Sequence, residues 1–124
     1  MEQAGNAQPR KPNIMIPEHI EQIEAKVEAA KNISDETRKE LLGLLSALKS
    51  EIGPLAKTHD EDAESIARFA DVSAHEATRT EKKPELIDAA VKGLSSSVEG
   101  FETSHPTLVQ IVNRIAVILS NMGI

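Results

Sequence analysis

The chain is 124 residues long, with 14 Lys and Arg against 20 Asp and Glu and a formal net charge of -6. It has no Cys, Trp or Tyr and only two Phe, which excludes disulfides, thiol nucleophiles and thiolate metal sites and removes the aromatic platforms on which single-stranded nucleic acid stacks. The acidic balance argues against holding a phosphate backbone, and no run approaches the ~18 apolar residues of a membrane span.

Residues 1–14, MEQAGNAQPRKPNI, hold two Pro, one Gly and no apolar period. Such a segment buries too little to offset its ordering entropy, so a disordered tail is expected at 1–14 and one domain at 15–124. The pattern starts near Met15, so either Met1 or Met15 could be the native start. The N-terminus lacks an apolar signal core, which predicts a cytoplasmic protein.

Ile16, Ile20, Ile23, Val27 and Ala30 step 4, 3, 4, 3 and predict a first amphipathic helix, with Pro17 in its first turn and its end near Asn32. Ser34 is placed to cap a second helix, with Asp35 and Glu36 in the first turn. The seam of that helix is Leu41, Leu45, Leu48, Ile52 and Leu55, widened by Leu42 and Leu44. Gly53-Pro54 predicts a kink or break in it, because proline removes a backbone bond and crowds the carbonyl of Ser50.

Thr58 to Glu61 has the spacing of a capping box and predicts the start of a third helix reaching about Ala77 or Thr80. Its seam, Ala63, Ile66, Ala70, Ser73 and Ala77, is made of small residues. Either this helix packs very close to a neighbour or it is the least buried of the set. After the charged linker Thr80-Glu81-Lys82-Lys83, Pro84 opens a fourth helix. Ile87, Val91, Leu94, Val98 and Phe101 form its seam, broadened by Leu86 and Ala90 and weakened in the middle by Ser95-Ser96-Ser97. Ser104-His105-Pro106 sets the next boundary. Leu108, Val112, Ile115, Leu119 and Met122 follow at the same spacing, with Ile111 and Ile118 alongside and Gly123 placed as a C-cap. No window alternates as a strand does. The predicted fold is an all-α antiparallel bundle of four to five amphipathic helices.

Chemistry is sparse. Of His19, His59, His75 and His105, only His105 has a Glu three residues before it, Glu102, and Pro106 turns that pair into a helix boundary. The Glu-x-x-His pattern of carboxylate-bundle metal sites is therefore not met. The cluster His59-Asp60-Glu61-Asp62 with Glu64 lacks the glycine and spacing of a calcium loop and suits the first turn of a helix. Asp71 and His75, four apart, could share a helix face as the start of an acid–base pair. No nucleophile elbow or phosphate loop accompanies them. No catalytic, cofactor-binding or metal residue is assigned, and no cofactor is expected.

Val98-Glu99-Gly100-Phe101-Glu102, Ser104-His105-Pro106, Ile111, Asn113, Leu119 and Asn121-Met122-Gly123-Ile124 resemble a motif of small bacterial helical proteins, the family of domain of unknown function 4404. The resemblance implies a small all-helical protein from a bacterium and brings no activity or site residue. The expected function is a non-enzymatic helical interaction or structural module acting through helix packing. A homo-oligomer, a dimer first, is expected from the wide apolar faces of the second and fifth helices, with a protein partner as a further option. Nucleic acid and membrane are not expected as partners. The rival expectations are a small enzyme or metal-binding protein using Asp71 and His75, and an acidic docking adaptor for a basic partner. Residues 58–83 suit the adaptor, with seven acids against four bases.

Overall fold

A computed structural model describes the chain from Pro12 to Met122. Five helices follow one another: α1 (Pro12–Ala29), α2 (Asp35–Thr58), α3 (Asp60–Thr78), α4 (Pro84–Ser96) and α5 (Pro106–Met122). The described residues contain no strand. The boundary expected at 14/15 falls inside α1, and the stretch 1–11 lies outside the described residues, as does the C-cap expected at Gly123. Because α1 starts at Pro12, Pro17 sits inside the helix rather than in its first turn.

The spacing of 4 and 3 residues translates directly into burial. Ile16, Ile20, Ile23 and Val27 of α1, Leu41, Leu45, Leu48, Ile52 and Leu55 of α2, and Leu108, Val112, Ile115 and Leu119 of α5 all close into one core. The extra apolar residues Leu42, Leu44 and Ile118 are half-buried against that same core. Much of the width of α2 and α5 is thus used within one chain.

The small side chains of α3 mark close packing. Ala63, Ile66, Ala67, Ala70, Ser73, Ala74 and Ala77 are all buried, and α3 touches each of the other four helices. Alanine seams let backbones approach closely, so one helix serves four neighbours. α1, α2, α5 and α4 stand around it in that order. Among the described residues α1 and α4 share no contact, which leaves one side of α3 open. Phe69 and Val72, 40% and 48% exposed, lie on α3 itself.

Three local expectations are corrected. α2 runs through Gly53 and Pro54 to Thr58 without a break. Pro54 is exposed, so its ring meets solvent, while Ile52, Leu55 and Ala56 around it are buried and hold the last turn. Thr58 does not form a capping box. It is the last residue of α2, its hydroxyl donates to the Leu55 carbonyl, and His59 takes the cap position of α3 with no capping hydrogen bond from its side chain. α4 ends at Ser96 instead of continuing to Phe101. The Ser97 hydroxyl donates to the Leu94 carbonyl at 2.6 Å, the competition with backbone that serine offers. Gly100 then turns the chain at φ +98°, and Val98 and Phe101 still reach the core from the loop.

Helix ends are tied by side chains from elsewhere. The Ser34 cap forms as expected, accepting from Thr37 N at 3.1 Å. One guanidinium nitrogen of Arg38 donates to the carbonyls of Val27 and Ala30 at 2.7 Å and of Glu28 at 3.1 Å. These carbonyls lie in or just after the last turn of α1, where no following helical turn supplies donors. Lys82 closes α5 in the same way, donating to Met122 O at 2.8 Å. Charge-assisted bonds contribute about 1.5–3 kcal/mol each when part-buried. Arg38→Ala is expected to cost about 2 kcal/mol in chemical denaturation. It should also loosen amide protection in the last turn of α1 more than in α5.

Phe69 lies over Gly93 of α4, where an added Cβ would run into its ring. The ring is 40% exposed and can swing out. Gly93→Ala gains about 1 kcal/mol of helix propensity and loses the ring contact. In a double-mutant cycle it should be neutral or destabilising alone, and stabilising by about 1 kcal/mol once Phe69→Ala has removed the ring. An equal effect in both backgrounds would mean that ring and glycine do not interact.

Candidate functional site

Of the acid–base candidates on α3, Asp71 is engaged by another helix. Asp71 accepts from Lys26 of α1 at 2.8 Å, and this pair is one of the links between α1 and α3. His75 stays exposed on the next turn. Arg68 is bound by Glu64 and Arg79 by Glu76, so these charges are committed along their own helix. The acids Asp60, Glu61 and Asp62 fall in the first turn of α3, where the helix dipole favours negative charge. Among the described residues no group of three or more His, Cys, Asp or Glu is placed to hold a metal ion.

Two histidines that sequence kept apart do meet. α3 and α5 run parallel because α4 reverses between them, so the starts of both helices share one end of the bundle. His59 and His105 stand there with Phe101 between them. The ring centroids are 5.4 Å apart for His59–Phe101, 5.5 Å for Phe101–His105 and 6.2 Å for the two imidazoles, all edge to face. Each imidazole shares a hydrogen bond from Nδ1 with the hydroxyl of the residue before it, Thr58 or Ser104, at 2.8 Å. Edge-to-face ring pairs stabilise packing by about 0.5–1.5 kcal/mol. The cluster closes the end of the core where α2 passes into α3 and where the loop enters α5. The sequence signal was present in the repeated hydroxyl-His pair at a helix start. Its meaning depended on α3 and α5 being parallel.

Among the described residues four large apolar side chains are not absorbed by the core: Phe69 and Val72 on α3, Leu86 on α4 and Val117 on α5. Leu86 was expected to broaden the seam of α4 and is instead 43% exposed. Val117 is the most open, at 60%. It stands between two shallow grooves of similar size, about 390 and 360 Å³. Val91, Ser95 and Ser120 line the first, Glu40, Arg114 and Ile118 the second, and Asn113 borders both.

The residues that carried the resemblance, as far as Met122, lie on α5 and the loop before it. The family described as Domain of unknown function (DUF4404) matches the chain over residues 41–124. The chain belongs to this family. The DUF4404 match begins at Leu41, the first buried leucine of α2, and includes α3, α4 and α5 with the His59–Phe101–His105 cluster and the grooves around Val117. No match was found among the curated proteins or among the solved structures. Within the described residues no helix is long and apolar enough to cross a membrane.

Proposed function

We propose that this DUF4404 chain is a non-enzymatic, cytoplasmic interaction module that works by helix packing and associates with itself, as a two-fold dimer. The observation that carries this reading is the placement of Phe69, Val72, Leu86 and Val117 at the surface of a bundle whose seams are otherwise buried. Apolar side chains grouped on helix faces are what a second helix covers when two surfaces join. The engagement of Asp71 by Lys26 weighs against the acid–base alternative. Sedimentation velocity of the full chain over a wide concentration range tests the proposal. A mass rising from monomer to dimer with concentration is the expected result. A particle that keeps the 13.4 kDa monomer mass at every concentration would overturn it.

A further inference from the structure

Two imidazoles stand together at the end of the bundle where α3 and α5 begin. His59 immediately precedes α3 and His105 immediately precedes α5. Their backbones are pinned on both sides. His59 N donates to Leu55 O at 2.7 Å, and its carbonyl accepts from Ala63 N at 2.9 Å. His105 N donates to Phe101 O at 2.8 Å, and its carbonyl accepts from Val109 N at 3.2 Å. The buried ring of Phe101 packs edge to face against each imidazole. The pair is therefore held in place before any ligand arrives.

The outer nitrogen of each ring is what remains for a ligand. Thr58 Oγ1 donates its one proton to the Leu55 carbonyl at 3.4 Å, so it accepts from Nδ1–H of His59 at 2.8 Å. That tautomer leaves a lone pair on Nε2. Ser104 meets Nδ1 of His105 at the same 2.8 Å, and its hydroxyl is able to accept in the same way. A hydrogen bond from the far nitrogen is what orients a ligating histidine and raises its basicity. Two imidazoles that share one ion through bonds of about 2.0–2.1 Å have ring centroids about 5 Å apart at a tetrahedral angle and about 6.4 Å apart when opposed. The observed 6.2 Å lies inside that interval. We propose that His59 and His105 form a two-imidazole site for a divalent transition ion of the zinc, nickel and copper type.

Imidazole selects ions of this class over magnesium, calcium and manganese, which prefer oxygen. The positive ends of α3 and α5 oppose a cation, and Asp60, Glu61 and Asp62 in the first turn of α3 offset them. Among the described residues no group of three or more His, Cys, Asp or Glu is assembled there, so water fills the other positions. The site is open and exchangeable rather than closed and structural. A bound ion ties the α2–α3 junction to the loop before α5, and it stabilises the fold by linkage. The inference does not depend on self-association.

The test is a titration of the full chain with zinc chloride in chelator-free buffer at neutral pH. Calorimetry follows it together with the imidazole signals of the four histidines in NMR. One ion per chain at micromolar affinity is expected, with the shifts confined to His59 and His105. At a hundredfold excess over the dissociation constant the melting midpoint should rise by about 5–10 °C. Magnesium and manganese should do neither. His59→Ala and His105→Ala should each weaken binding at least about tenfold, the lower bound even for losing a hydrogen-bonded outer partner of a ligand. His75→Ala, exposed on α3, should bind as the wild type does. Circular dichroism of the metal-free variants checks the fold. Should His59→Ala lose it, His59→Asn keeps a polar cap and serves in its place. No saturable binding, or binding that survives both substitutions, would overturn the site. Half an ion per chain with a doubled mass would put the ion between two copies and overturn the pairing within one chain.

Discussion

Ile66→Ala is expected to lower the stability of the chain by about 2–5 kcal/mol, the range for emptying a fully enclosed isoleucine. Ile66 is 0% exposed and is the one large side chain in a helix seam otherwise built of alanine and serine. The alanines around it cannot reach into the space it leaves, because each is fixed to the backbone at Cβ. The cavity therefore stays open, and the loss falls in the upper part of the range. For a domain of this size one kcal/mol moves the midpoint by roughly 4–8 °C, so thermal melting followed by circular dichroism should drop by at least about 10 °C. A change within a few degrees would mean that α2 or α5 closes in over the gap.

Enlarging the same seam should be nearly as damaging. Ala70 is 1% exposed on the helix that touches all four others. Ala70→Leu adds three carbons where the approach of a neighbouring backbone sets the available space. Overpacking of this kind costs about 1–3 kcal/mol and rises where no single element can yield alone. Ala25→Leu, at an exposed position of α1, gains or loses no more than about 0.5 kcal/mol. Comparing the two by chemical denaturation separates close packing of α3 from a general intolerance of leucine. Equal, small effects would show that α3 has slack.

These two substitutions also show what could be read from the order of residues. The seam spacing found the buried face of each helix: the spaced positions of α1, α2 and α3 are inside without exception. The spacing could not place α3 at the centre, because small residues suit both a crowded helix and a marginal one. That choice depends on how many neighbours arrive, which is a tertiary quantity. The break expected at Pro54 is absent, and the helix expected to run past the serines at 95–97 stops at Ser96. Packing of Ile52, Leu55 and Ala56 overrode a strong local breaker, whereas nothing overrode a weak one at Ser97. Of the candidate chemistry, Asp71 was visible as a charge but its partner lay 45 residues away on α1. The meeting of His59 with His105 likewise depended on helix direction.

The gap between α1 and α4 sets how the molecule shares its free energy. Two elements that never touch can influence each other only by displacing what lies between them. Here that is α3, with short side chains and little freedom to shift, on one path and the longer relay of α2 and α5 on the other. Perturbations in α1, such as Ile20→Val, and in α4, such as Leu94→Val, should therefore add with a coupling energy near zero, within about 0.5 kcal/mol. Pairs that join either of them to α3 should not add. The bundle then behaves as a ring around α3, closed through α2 and α5 and open only between α1 and α4. Residue replacements can accumulate on the α1 side without requiring compensation on the α4 side, and a change in α3 must satisfy both at once.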